Sequence, residues 1–444
     1  MPGHHHSGGR LFAAIARVFR TPDLRRKLLF TLAIIAIYRV GVYIPAPGVD
    51  YSNVQQCLAM GNTTGGLYQF VNLFSGGALL QVSIFAMGIM PYITASIIIQ
   101  LLRVVIPRFE ELHKEGQSGQ AILTQYTRYL TIALGLLQAT TLVSLARSGT
   151  LFPACTLPIV PDDSLWVIVL MIFTLTAGTG LIMWMGELAT ERGVGNGMSL
   201  LIFVSIASGF PSAMSAIATS QGWGVFIGVI LIGLAVIALV VFVEQSQRRI
   251  PVQYAKRMIG RRTVGGTSTY IPIKVNMAGV IPVIFASSML ALPTMLVTFN
   301  TRADGTLPDW ALWVQTNFSG SSPLYMVAYT LLTIGFTYFY VAITFNPTEV
   351  ADNMKQYGGF IPGIRAGRPT AEYLEYVLSR ITFPGAVYLA FVALIPLIAF
   401  VLINADQNFP FGGTSILIMV GVGLETVKQI NAQMQQRHYE GLLR

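Results

Sequence analysis

Apolar runs of about twenty residues recur along the whole chain, separated by short polar stretches. A bilayer core about 30 Å thick needs roughly 20 apolar helical residues to cross it, so each run predicts a transmembrane helix. Ten spans result, at 28–44, 83–106, 126–146, 165–185, 198–217, 224–243, 275–297, 324–344, 381–402 and 414–431. The fifth and tenth are the least hydrophobic. Several contain Gly or Pro, which membrane helices tolerate where neighbouring groups re-satisfy the backbone. One stretch fits no span. LYQFVNLFSGGALLQ (Leu67–Gln81) is half-polar, carries no charge, and is broken by Gly76 and Gly77. It predicts either a re-entrant segment buried in protein or lining a cavity, or an external amphipathic loop.

Composition agrees with the pattern. Of 444 residues, 53% are hydrophobic and 11% charged, against about 25% charged in soluble proteins. The predicted class is therefore an all-α integral membrane protein. The net charge of +9 would suggest nucleic acid in a soluble chain, but here its placement sets orientation, because cytoplasmic loops retain Lys and Arg. Six lie in the N-terminal tail, four in the second-to-third loop and its margins, and one in the fourth-to-fifth loop. Seven lie in the sixth-to-seventh loop, four in the eighth-to-ninth, and three at the C-terminal end. That puts 25 on one side against two, Arg147 and Arg302, on the other, with Arg39 inside the first span. The split predicts cytoplasmic termini. Residues 1–9, MPGHHHSGG, read as a purification tag and are set aside. The first apolar run leads into PAPG rather than a small-residue cleavage site, so it is read as a retained span.

An internal repeat divides the spans. GIMPYITAS (Gly88–Ser96) opens the second and GVIPVIFAS (Gly279–Ser287) the seventh, with Gly, Pro, Ile, Ala and Ser in common. A five-span shift reverses membrane direction. The repeat therefore predicts two inverted five-helix halves, 10–220 and 221–444, with the functional site at their interface. A solute transporter built this way would need ionisable residues at mid-membrane, and the spans hold almost none beyond Arg39 and Glu425. An intramembrane enzyme is disfavoured too. Outside the tag, histidine occurs only at His113 and His438, and neither HExxH nor GxxxxGK[ST] is present. No catalytic residue, metal or cofactor is expected.

Longer motifs carry a family resemblance: NLFSGGAL (Asn72–Leu79), GIMPYITASIIIQLL (Gly88–Leu102), QYTRY (Gln125–Tyr129), MWMGELATERGVGNGMS (Met183–Ser199), QRRIPVQYAKR (Gln247–Arg257), KVNMAGVIPVIFASS (Lys274–Ser288), FNPTEVADN (Phe345–Asn353) and FGGTS (Phe411–Ser415). From about Thr21 to Arg444 the chain resembles the bacterial SecY family, the pore subunits of the general protein-secretion channel. The resemblance implies an hourglass channel in the bacterial plasma membrane that passes unfolded polypeptides across and membrane segments sideways. It implies a plug at about 70–80, including Phe70, Asn72, Phe74, Ser75, Gly76 and Gly77. It implies an apolar pore ring of Ile89, Ile93, Met198, Ile202, Ile284 and Ile418. A narrow apolar constriction resists wetting and so blocks ions, yet binds no particular peptide side chain. The lateral gate would lie between the second and seventh helices, with Pro91, Thr94, Gln100, Asn276 and Pro282. Gln100 and Asn276 are expected to help hold it closed, since interhelical hydrogen bonds in membranes contribute roughly 0.6–2 kcal/mol.

Two large cytoplasmic loops, 244–274 and 345–380, are the expected docking surfaces. The first alternates basic and apolar residues, a composition suited to anionic lipids. The resemblance adds the SecA motor ATPase and the ribosome with its RNA, through Arg257, Arg261 and Arg262, and through Arg365 in GIRAG. The usual family pattern there is GIRPG, and Ala366 replaces its proline. Implied partners also include the small SecE and SecG subunits, signal peptides and unfolded preproteins. Arg39 lies near the outer end of its span and is expected to play a structural role, with room to snorkel outward. Cys57 and Cys155 both fall on the outer side, where disulfides persist. The sequence leaves open whether they are bridged.

Overall fold

The computed structural model describes residues 22–59, 75–147, 149, 151–152, 155, 157–162, 164–220, 222–254, 257–259, 262–264, 268–299, 308–318, 322–403 and 413–440. The chain divides into two compact units, Met1–Ser215 with Val422–Arg444, and Ala216–Gly421. Among the described residues five helices are long and apolar enough to cross a membrane, or six if one sharply bent pair counts as a span.

The first unit contains α1 (Pro22–Val42), α2 (Tyr51–Ala59), α3 (Met90–Val105), α4 (Pro107–Lys114), α5 (Gln117–Arg147), α6 (Leu165–Arg192) and most of α7 (Gly197–Ser220). Helices α3 and α4 are the bent pair, meeting at 101°. Ile106 between them is extended and Pro107 opens α4, as expected where the residue before a proline is pushed out of the helical region. Helix α6 packs against the segment before α3 without a spacer. A Cβ on Gly178 would lie 2.1 Å from the Ile84 carbonyl oxygen, so glycine permits that approach.

The second predicted span is shorter than expected. The helix starts at Met90 rather than residue 83, and 76–89 is a buried series of turns. Ala46 and Ile84 exchange backbone hydrogen bonds with Val82 and Ile44 around the Pro45–Ser83 bridge. Gly88 takes a positive φ of 56°, which ends the turn series and sets the helix entry. Ala78, Val82, Ser83 and Ala86 are fully buried, so apolar content persisted where helical conformation did not. Val82 and Ala86 join a core that also holds Cys57. Cys57 and Cys155 form a disulfide with Cα atoms 5.4 Å apart, within the usual bridging range.

The second unit contains α8 (Gly222–Gln245), β1 (Gln247–Tyr254), β2 (Arg257–Ile259), β3 (Arg262–Val264), β4 (Ser268–Lys274), α9 (Ile281–Phe299), α10 (Asp309–Asn317), α11 (Pro323–Thr344), α12 (Pro347–Gln356), β5 (Gly359–Phe360) and α13 (Arg368–Ile403). Helix α14 (Gly413–Glu440) begins in this unit and ends in the first. The mostly helical protein therefore carries a small sheet within the predicted 244–274 loop. Strand β1 pairs antiparallel with β4, Ile250 opposite Ile271, and its other edge pairs with β5. Strands β2 and β3 form a second, two-stranded ladder. The basic–apolar alternation is the period-two signature of a half-buried strand. Ile250, Val252 and Ile273 face a cluster with Met354, Ile361, Leu374, Val377 and Leu378, while Arg249 and Lys274 lie on the other face and Arg248, at the end of the strand, is exposed.

Candidate functional site

The two copies of the repeat build the same backbone feature, each within its own unit. Gly88 and Gly279 both adopt positive φ, 56° and 61°. Each helix begins two residues later, with proline as its second residue, Pro91 in α3 and Pro282 in α9. Proline is tolerated there because a first-turn N–H has no intrahelical partner. The N–H groups of Tyr92 and Ile93 donate to the Ile89 carbonyl at 3.1 Å, and those of Val283 and Ile284 donate to the Val280 carbonyl at 3.1 and 3.3 Å. Ala95 and Ala286, in matching places, are both fully buried. The repeat is thus a rule for starting a helix, and it puts Ile93 and Ile284 at the same place in that helix.

The expected ring residues are largely shielded. Ile89, Met198 and Ile202 in the first unit and Ile284 and Ile418 in the second are buried, whereas Ile93 is half-buried. Met198 also packs its thioether against α6, where a Cβ on Gly186 would meet Sδ at 2.2 Å.

Of the expected plug residues, Phe70, Asn72 and Phe74 lie outside the described residues, while Ser75, Gly76 and Gly77 are described. Ser75 is fully buried, and its hydroxyl accepts from the Leu79 N–H at 3.1 Å. The Tyr38 hydroxyl lies 3.4 Å from the Ser75 carbonyl and 2.7 Å from the Ser205 hydroxyl. Arg39 Nη1 donates to the Gly76 carbonyl at 3.2 Å and to the Ser208 hydroxyl at 2.8 Å. Its Nη2 donates to the Tyr43 hydroxyl at 3.2 Å, with the guanidinium over that ring. Arg39 is therefore half-buried and committed to protein partners. Sequence reasoning singled out Arg39 but missed Tyr38, Ser205 and Ser208, for which a polar residue beside an intramembrane charge was the available signal.

Among the expected gate residues, Thr94 donates to the Met90 carbonyl of its own helix at 3.0 Å, and Gln100 is half-buried. Asn276 is buried, and its Nδ2 donates to Glu244 Oε1 at 2.6 Å and to the Gly279 carbonyl at 3.1 Å. A charge-assisted bond of that length is a strong one, and it ties the end of α8 to the entry of α9. Glu244 lay one residue beyond the predicted sixth span and was not singled out.

On the sheet, Arg249 lies over the Tyr270 ring at 4.9 Å. Arg257 begins β2 and Arg262 begins β3, while Arg261 lies outside the described residues. Arg365 is exposed between Gly363 and Gly367, both with positive φ, and its carbonyl accepts from the Thr370 hydroxyl at 2.8 Å. That bond ties the loop to the first turn of α13 where the proline of the usual pattern is missing. Helices α5 and α6 are joined by Arg128, which donates from Nε and Nη2 to the two oxygens of Glu187 at 2.9 and 2.8 Å.

Known proteins agree with this architecture. The SecY family model matches residues 83–427. The protein translocase subunit SecY of Micrococcus luteus is 66% identical over 437 residues, covering 98% of this chain and 100% of the relative. A solved structure described as a protein conducting channel superposes with a TM-score of 0.63 at 18% identity, covering 92% of each chain. Sec61 from a canine ribosome-channel complex of the endoplasmic reticulum superposes with a TM-score of 0.59 at 16% identity, again covering 92% of each. At these identities the two structures show a common fold.

Proposed function

Because the chain belongs to the SecY family, we propose that it is the protein-conducting subunit of a protein translocase in a bacterial plasma membrane, with ten spans in two inverted halves and both termini cytoplasmic. The observation that carries the reading is the matched pair of helix starts at Gly88 and Gly279, which puts Ile93 and Ile284 at equivalent places in α3 and α9. These are the helices expected to form the lateral gate. Ile89, Ile93, Met198, Ile202, Ile284 and Ile418 form the apolar ring on this reading, which holds back ions by dewetting and grips no peptide side chain. Residues 70–80 plug the ring from outside.

Gln100 and Asn276 bias the gate toward closure, Asn276 through an α9 entry already tied to Glu244. The sheet and the Arg365 loop form the cytoplasmic docking face. There Arg257, Arg261, Arg262 and Arg365 meet SecA, the ribosome with its RNA, or anionic headgroups, and SecE and SecG complete the complex. Energy comes from the motor or the ribosome, since the chain has no phosphate loop of its own.

Reconstitution with SecE, SecG and SecA tests this. Export of an unfolded preprotein that requires SecA and ATP, and crosslinks from a stalled chain to positions 89 or 284, are the expected results. Uptake of a small solute without SecA, and no such crosslink, would overturn it.

A further inference from the structure

The polar cluster around Tyr38 and Arg39 does something a packing role does not require. It grips the backbone carbonyls of Ser75 and Gly76, where the chain enters a series of turns. Ser75 and Gly76 lie against α7, where a Cβ on Gly76 would sit 3.0 Å from Arg39 Nη1 and 3.1 Å from the Ser205 Cα. Gly76 also has a φ of +67°, a region closed to most side chains, so only glycine fits both the space and the turn. The grip is fixed from the other side. The Tyr38 ring is 1% exposed and stacks on Phe85 at 5.8 Å. Phe85 itself lies over Gly41 of α1, where an added Cβ would meet the ring at 2.0 Å. Residues 75–85 are thus fastened to α1 at two levels, and Gly88 and α3 follow directly.

We infer that Tyr38, Arg39, Ser205 and Ser208 form a reversible clasp that holds the plug segment at Ser75 and Gly76 in the resting channel. This rests on the reading of residues 70–80 as a plug. Reversibility follows from the hydroxyl inventory. With the segment in place, the Ser205 O–H can donate to Tyr38 Oη, and the Tyr38 O–H to the Ser75 carbonyl. With the segment gone, the Ser205 O–H has the Leu201 carbonyl at 2.9 Å and the Tyr38 O–H has Ser205 Oγ. Arg39 loses the Gly76 carbonyl but keeps Ser208 and Tyr43, and Ser208 keeps its bond to the Ser205 carbonyl. Among the described contacts, release breaks two bonds to the segment: every hydroxyl keeps an acceptor, and the one N–H set free is on Arg39, which is half-buried and so within reach of water, sparing the cost of a buried unpartnered donor. A clasp that leaves its own half satisfied can open and close repeatedly.

The test uses the whole complex in proteoliposomes. Resting ion leak is read without a translocating chain, and export is read with a preprotein of weakened signal peptide. Arg39→Gln is expected to raise the leak per folded channel roughly tenfold, the effect of losing one hydrogen bond to a charged donor, and to increase export of the weakened preprotein. Arg39→Lys restores most of the seal. Tyr38→Phe keeps the stack on Phe85 and raises the leak a few-fold, which decides the matter if Arg39→Gln does not assemble. An Arg39 that merely supports folding would lower channel number and leave the leak per channel alone. Deleting Phe70–Leu80, the whole segment read as the plug, separates the two ideas. If the deletion raises the leak while Arg39→Gln and Tyr38→Phe do not, the clasp is wrong and the plug stands. If the deletion leaves the leak unchanged, the plug reading fails and the clasp fails with it.

Discussion

Replacing Ile273 by Ala should release the β1–β4 sheet without touching any residue expected to meet a partner. Ile273 is 0% exposed and packs with Ile250, Val252 and the α12–α13 side chains. Truncation removes about three carbon groups, or roughly 2.4 kcal/mol of transfer energy at about 0.8 kcal/mol each. A partly uncollapsed cavity brings the loss to about 3 kcal/mol. At 1.4 kcal/mol per factor of ten, the open population of the hairpin rises about 150-fold. Tyr270→Ala is the contrast. Tyr270 is 48% exposed, and its main specific contact is Arg249 over the ring, worth about 0.5–1 kcal/mol at an exposed site. That is about fivefold at most. Trypsin cleavage at Arg248 and Arg249 within β1, on the reconstituted complex with opening fast relative to cutting, reads the open population. Equal cleavage of Ile273→Ala and the parent protein, or faster cleavage of Tyr270→Ala than of Ile273→Ala, would refute the claim that the buried face anchors the hairpin.

Gly178→Ala should lower the melting temperature of the purified complex, because its Cβ would press on the Ile84 carbonyl, an overpacking cost of about 1–3 kcal/mol. Gly135→Ala, whose Cβ would meet Thr179 at an ordinary 3.5 Å, should leave that temperature nearly unchanged. Replacing both Cys57 and Cys155 by Ser should also lower it, with a chain-entropy ceiling of about 4.7 kcal/mol for the 98-residue separation. The parent chain, and not the double variant, should shift on a gel run without reductant. The Asp50 carboxyl is held below its ordinary value, chiefly by the Ser52 hydroxyl and then by the Asn53 N–H at the start of α2. A depressed carboxylate stabilises above its unfolded value and loses that contribution as pH falls through the folded one. Amide exchange at 51–55, corrected for intrinsic rates, should therefore accelerate on going from pH 6 to pH 3 in the parent and not in Asp50→Asn.

Much of the design was readable because membrane insertion is written in linear patterns. Length of apolar run and placement of Lys and Arg are local quantities, and α8 and α11 begin and end within two residues of their predicted spans. The GxxPxIxAS repeat was equally visible, but its meaning was not. Hydropathy cannot separate a buried turn from a buried helix, so residues 83–89 read as span although Gly88 and Pro91 place the helix start at Met90. In the 244–274 loop the alternation of basic and apolar residues suits a lipid-facing loop as well as the period of a strand, so pattern alone does not separate the two. Its pairing with β5, more than a hundred residues on, depends on a register no local window contains.

Linear pattern is enough to make this a basic, helical membrane protein with a GxxPxIxAS repeat, a glycine-broken uncharged segment, one charge inside its first span and the motifs of the SecY family. Which groups that charge holds became visible only in the packed fold. The partners of Arg39 lie 37 and 169 positions away, and the decision to hold them rests on hydrogen-bond geometry between groups that meet only when α1, α7 and the turn at Gly76 are packed together. The same holds for Cys57 and Cys155. Composition supplied two thiols, and only the fold brought their Cα atoms to 5.4 Å, because proximity of distant residues is a property of packing and not of order along the chain.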